Sequence, residues 1–258
     1  KRAITVKAAD GTKTYDGAAL TNAAVTLTEG TLVSGQSLTA TATGSITNVG
    51  STANTVSSAV VKSGTTDVSG NYTITKTNGT LTVNKRTLTV KAEAKSKTYG
   101  AGDPGLTYTY SNQVSGQTPK FSGALSRAEG ENVGTYAINK NTLVLVDNSP
   151  FLANNYTLSY VGANLTITAK NASTFTATLN PTSYTYDGTE KKPSVTVKDG
   201  ENLLAVGTDY SFVYSDNINA GTGKVTITGK GNYSGKADTY FSITPKRISS
   251  AELTVADA

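Results

Sequence analysis

The stretch Leu81-Thr82-Val83-Asn84-Lys85-Arg86-Thr87-Leu88-Thr89-Val90 alternates apolar and polar residues, breaks at Asn-Lys-Arg, and alternates again. Period-two alternation is what a strand with one buried and one wet face requires, so the break reads as a border between two β modules. The same opening stands at Lys1-Arg2-Ala3-Ile4-Thr5-Val6, and Ser242-Ile243-Thr244-Pro245-Lys246-Arg247-Ile248 repeats the border near the other end. A further border, Leu165-Thr166-Ile167-Thr168-Ala169-Lys170, keeps the outgoing strand and drops the arginine. These borders place modules at 1–84, 85–170 and 171–246, with 247–258 starting another. Lacking an initiating Met, the chain reads as a segment of a longer protein. Linkers of two to four residues leave the modules little swing, so a rod of about 100 Å or more is expected. Small-angle scattering reads that length, and a globule around one shared core would contradict it.

Working outward, three markers recur in a fixed order. The first is Tyr15-Asp16-Gly17, Tyr99-Gly100-Ala101 and Tyr186-Asp187-Gly188, spaced by 84 and 87. The second, with the same spacings, is Asn48-Val49-Gly50, Asn132-Val133-Gly134 and Asn219-Ala220-Gly221. The third is Asn71-Tyr72, Asn155-Tyr156 and Asn232-Tyr233, spaced by 84 and 77. The last module is therefore about ten residues shorter between its second and third markers. Turn dipeptides at Asp10-Gly11, Asn78-Gly79, Asp199-Gly200 and Gly231-Asn232 suit six to eight short strands per module. Two packed sheets per module are the simplest solution: an all-β tandem array of three small Ig-like β-sandwiches, with β-grasp-like modules as the alternative. The best helical candidate is one or two turns at Gly123–Glu129.

Composition agrees and removes chemistries. Thr is the commonest residue at 45, and Tyr (14) outnumbers Phe (5), a β-branched and aromatic bias that favours strands. With no Cys and no His, thiolate or imidazole catalysis and Cys/His metal, haem and iron-sulfur sites are excluded. The formal charge of +5 is scattered, about +2 over 1–84, +4 over 85–170 and −1 over 171–258, and the densest basic clusters are pairs such as Lys85-Arg86 and Lys191-Lys192. That is a solvated surface rather than a nucleic-acid stripe. No apolar run reaches membrane-spanning length.

The markers and their flanks carry a family resemblance. Thr5-Val6-Lys7-Ala8-Ala9-Asp10-Gly11-Thr12-Lys13-Thr14-Tyr15-Asp16-Gly17 resembles the opening of YDG domains. The middle module, with Lys97-Thr98-Tyr99-Gly100-Ala101-Gly102-Asp103-Pro104-Gly105-Leu106 and Gly130-Glu131-Asn132-Val133-Gly134-Thr135-Tyr136, resembles MBG domains of the Tyr-Gly type. The third, with Tyr184-Thr185-Tyr186-Asp187-Gly188, is similar to glycine-rich repeats of large bacterial surface proteins. The resemblance implies extracellular modules of bacterial adhesins or cell-wall proteins, serving as stalk, spacer or sometimes binding units. It implies no catalytic residues and no cofactor.

Each candidate chemistry has a plainer competitor. The recurring tyrosines could stack on a sugar, but a repeated fold also needs core and corner rings beside tight turns. Calcium would use Glu129/Glu131, Asp199/Glu201 or Asp209/Asp216, yet none recurs between modules or has calcium-loop spacing. An isopeptide cross-link would join Lys7 or Lys91 to Asn84, but alternation puts Lys7 on the wet face. Sequons fall at Asn71, Asn78, Asn155, Asn164, Asn171 and Asn232, as chance supplies in so Thr- and Asn-rich a chain. A glycosidase would need paired carboxylates in a cleft, and no module carries an acidic insertion. The reading is a non-enzymatic stalk whose partners are neighbouring modules. The alternative is an adhesive module binding a host glycan, mucin or protein.

Overall fold

The computed structural model describes residues 1–248, so the expected further module at 247–258 lies almost wholly outside the described residues. The protein is all-β, with short 3-10 turns at Ser69–Asn71, Ala153–Asn155 and Ala172–Thr174. A β-grasp lays a helix across its sheet, and no α-helix occurs among the described residues. The expected turns at Gly123–Glu129 do not form either; Ser126–Arg127 is strand.

The chain divides into two compact units. Unit 1 comprises Lys1–Glu93, Thr107–Ser126 and Lys140–Gly162; unit 2 comprises Ala94–Leu106, Arg127–Asn139 and the chain from Ala163 onward. The sequence period runs across this division, because alternate stretches of 85–170 go to different units.

In unit 1 the opening strand Arg2–Ala8 buries Ile4, Val6 and Ala8 at 2% exposure or less while Thr5 and Lys7 point outward. Ile4 and Val6 each contribute roughly 1.5–3 kcal/mol when fully buried, and the Ala8 methyl less. The strand runs parallel to Tyr72–Thr77, with Val25–Glu29 antiparallel on its other side. Gln36–Ala42 and Val56–Ser63 form the facing sheet, and Val6, Ala8, Ala42 and Val56 share one core. This is a sandwich. Unit 2 contains another, in which Leu179 and Val197 of one sheet meet Val225, Ile227, Phe241 and Ile243 of the other.

The opening strand changes sheets at Ala9-Asp10 and continues as Gly11–Thr14; the closing strand changes beside it at Asn78 and continues as Gly79–Asn84, again parallel. Asp10-Gly11 and Asn78-Gly79 are thus paired sheet switches rather than hairpin turns, and with the two-residue strands Leu20–Thr21, Ser45–Ile46 and Thr66–Asp67 they bring module 1 to eleven short strands instead of six to eight. The glycine has a steric reason: a Cβ at Gly79 would lie 2.5 Å from the carbonyl oxygens of Ala8 and Ala9. Asp199-Gly200, by contrast, does close a tight hairpin, since Asp199 pairs with Asn202.

Parallel running of first and last strands has a topological consequence. The chain enters module 1 beside Tyr72 and leaves it beside Tyr15, at the opposite end. The register recurs: Arg2 pairs with Tyr72 and Arg86 with Tyr156 in unit 1, and Lys170 pairs with Tyr233 in unit 2. At the exits, Thr14 pairs with Asn84, Thr98 with Thr168 and Thr185 with Thr244. Third markers therefore sit at entries and first markers at exits.

Candidate functional site at the module junctions

In unit 1 the exit of the first repeat meets the entry of the second. The backbone N–H of Tyr15 donates to the Asn84 carbonyl (2.9 Å), and Gly17, at φ +83°, closes a turn against which the Val114 side chain rests. The Tyr15 ring meets Tyr156 edge-on at 5.6 Å, and Tyr156 stacks on Phe151 at 4.7 Å. Tyr15 and Val83 share one buried cluster with Leu88, Val90, Phe151 and Tyr156. A core thus spans the Lys85-Arg86 link.

Polar groups at this joint are matched. Gln117 donates from Nε2 to the Tyr15 hydroxyl (2.7 Å) and accepts at Oε1 from the Tyr156 hydroxyl (2.6 Å), which accepts from the Val114 N–H (3.1 Å). Asn155 is 1% exposed; its Oδ1 accepts from the Val49 N–H (2.9 Å) and its Nδ2 donates to Asn48 Oδ1 (3.0 Å). A buried amide is tolerated only when so satisfied. Burial also removes Asn155 as a glycosylation acceptor.

Unit 2 repeats the arrangement one period on. The N–H of Tyr99 donates to the Thr168 carbonyl (2.8 Å), and its ring meets Tyr233 edge-on at 5.4 Å. Asn232 accepts from the Val133 N–H (2.8 Å) and donates to Asn132 Oδ1 (2.9 Å). Phe175 meets Tyr233 edge-on at 5.1 Å, where Phe151 stacks on Tyr156 in unit 1. Here the hydroxyl faces Asp199, which is ion-paired with Lys170. Burial, with the nearby Asp199 charge, pushes Tyr233 up to about 12.

Ion pairs tie the first- and second-marker loops together. Lys97, two residues before Tyr99, reaches Asp103 (2.7 Å) and Glu131 (2.5 Å), the residue before Asn132; Arg127 binds both carboxylates too. The Arg127 and Lys97 hydrogen bonds hold Asp103 down at about 2, and Lys97 then Arg127 lower Glu131. A depressed carboxylate contributes stability above its unfolded value near 4 and loses it as pH falls through the folded one. Melting of unit 2 is therefore expected to drop between about pH 4 and 2, with a shallower drop in Asp103→Asn and in high salt. Equal slopes in the variant and the wild type would contradict this.

The other candidates are distributed as follows. Lys7 pairs with Asp10, and the Asn84 amide donates to Thr12. Asp209 accepts from the Ala205 N–H, and no cluster of three metal-ligating side chains occurs among the described residues. Tyr72 is buried, whereas Tyr186 is 37% exposed and Asn219 and Gly221 are exposed. Sequence reading missed Gln117, although Val33-Ser34-Gly35-Gln36 and Val114-Ser115-Gly116-Gln117 repeat a turn that could have revealed it. Gln36 accepts from the Tyr72 hydroxyl at 2.5 Å in the same way.

Fold and joints together define an all-β repeat protein in which recurring Tyr and Asn residues meet where one repeat joins the next. Within it, residues 88–166 match the family described as MBG domain (YGX type), in line with the Tyr99-Gly100 motif. No curated protein matches the chain. Among solved structures, the chain is similar to the protocadherin gamma B4 extracellular domain, at 9% identity and TM-score 0.27 over 95% of this chain and 50% of that one. It is also similar to protocadherin gamma B7 extracellular cadherin domains 1–4, at 10% identity and TM-score 0.24 over 76% of this chain and 58% of that one. The chain thus spans less than two thirds of either. No helix among the described residues is long and apolar enough to cross a membrane.

Proposed function

We propose that these repeats are a stiff, non-catalytic spacer of a bacterial cell-surface protein, extracellular, holding a binding domain away from the cell. The observation that carries this reading is the joint itself, built twice from the same residues. Modules on a free hinge share few contacts, and relative motion is their default. At 1/2 in unit 1 and 2/3 in unit 2, a buried or half-buried Asn clasps the preceding Asn loop and two tyrosines meet edge-on. Bending at such a joint would break matched polar groups and open apolar surface. The markers at these two joints, Tyr15, Tyr156 and Asn155 in unit 1 and Tyr99, Tyr233 and Asn232 in unit 2, are engaged by the chain's own neighbouring repeats, which favours a spacer over a ligand-holding role for them.

The adhesive alternative is tested directly. The purified chain, applied to arrays of glycans, mucins and host matrix proteins, is expected to give no competable signal. Reproducible binding that soluble ligand competes away would overturn the spacer reading.

A further inference from the structure

In the third repeat the strand Tyr210–Ser215 is the outer strand of its sheet, paired with Gly221–Gly229 on one side only. Its pleat decides which backbone groups are left over. The Lys230 N–H donates to the Asp209 carbonyl (2.8 Å), so Asp209, Ser211, Val213 and Ser215 turn their main-chain groups to the neighbouring strand. The alternate residues Tyr210, Phe212 and Tyr214 turn theirs outward. Gly207 takes the Tyr210 carbonyl (2.7 Å) and closes one end of the edge; the strand stops before Asp216, at φ +53°, at the other. Between them the N–H and C=O of Phe212 and Tyr214 have no partner among the described residues.

An open edge is a template for another strand, and folded proteins commonly guard theirs with charge. In the first repeat the outer strands Val25–Glu29 and Tyr72–Thr77 carry Glu29 and Lys76. Tyr210–Ser215 carries no charged residue. Val213 at its middle is 64% exposed, and Val206, bridged to Tyr210 at the closed end, is 62% exposed. The edge is therefore both unpaired and apolar. Its sequence says what fits it: Ser211-Phe212-Val213-Tyr214-Ser215 runs serine, aromatic, valine, aromatic, serine in either direction. An antiparallel partner is read backwards, so such a strand matches itself.

We propose that this edge pairs with the same edge of a second copy of the chain, antiparallel about a two-fold axis at Val213. In the pair, Phe212 exchanges both main-chain hydrogen bonds with Tyr214 of the second copy, Val213 faces Val213, and Ser211 faces Ser215. The outward groups of Phe212 and Tyr214 are thereby met, the valines cover each other on the exposed face, and no like charges are brought opposite. A foreign strand would meet the same backbone groups, but only the chain itself carries the side-chain match. The contact is isologous and closes at two copies. It uses no residue of the joints and stands apart from the spacer reading.

One strand pair is a small contact, and dissociation at about 0.1–1 mM is expected. The full chain is followed by sedimentation from dilute solution to about 1 mM, with amide exchange read by NMR. Its mass is expected to rise toward that of a dimer, while the Phe212 and Tyr214 amides exchange about twofold or more slower. Val213→Lys and Val213→Glu are each expected to stay monomeric with unchanged melting, because the side chain is exposed. Mixed in equal amounts, the two variants are expected to associate again, since lysine then faces glutamate across the axis. A wild-type chain that stays monomeric at about 1 mM, a dimer that survives Val213→Lys, or variants that stay apart on mixing would overturn the pairing. So would Phe212 and Tyr214 amides that slow only when a hexapeptide of alternating Thr and Val is added, which would give the edge to a foreign strand.

Discussion

Tyr156→Ala is expected to lower the stability of unit 1 by about 3–5 kcal/mol, the range for deleting a buried aromatic ring. The ring is 3% exposed, stacks on Phe151 and meets Tyr15 edge-on, so its removal opens a cavity at the joint rather than at a surface. Tyr156→Phe separates the hydroxyl from the ring. It keeps the packing but leaves Gln117 Oε1 and the Val114 N–H without their partner, at a cost of about 1–2 kcal/mol. Scanning calorimetry resolves the unit 1 transition, and exchange at the Val49 amide reports the joint. A loss under about 1 kcal/mol for the alanine variant would mean that the ring is not core.

Asn54→Ala is expected to cost a similar amount, about 3–5 kcal/mol, by a different mechanism. Asn54 is wholly buried. Its Oδ1 accepts from the Gly44 N–H (2.8 Å), and its Nδ2 donates to the carbonyls of Ala9 (2.9 Å) and Asn22 (2.8 Å). Three loop segments are held by one amide, and each buried backbone group left unmet costs about 1–3 kcal/mol, partly recovered if water enters. Asn54→Leu, which fills space without restoring any hydrogen bond, is expected to be no better. Urea titration of unit 1 reads both variants, and a leucine variant as stable as wild type would show that packing, not hydrogen bonding, holds this site.

Asn54 also marks where sequence reading stopped. One period on stands Ile138 and two periods on Val225, both buried and apolar. A polar residue at a core position of an aligned repeat is the available signal, but its meaning depends on which backbone groups surround it. Those come from residues 9, 22 and 44, which no local pattern connects.

Strand faces and the recurrence of three markers were legible in the chain. They depend on alternation and on short-range turn chemistry, which a linear pattern records directly. Even the wet orientation of Lys7 follows from Ile4 and Val6 on either side of Thr5. What the markers are for was decided only by tertiary structure. Parallel pairing of opening and closing strands puts Tyr15 at an exit and Tyr156 at an entry, and these two rings are 141 residues apart in sequence yet 5.6 Å apart in space. A pattern can say that a tyrosine or asparagine recurs; whether it serves its own core or its neighbour's depends on which ends of successive modules the topology brings together.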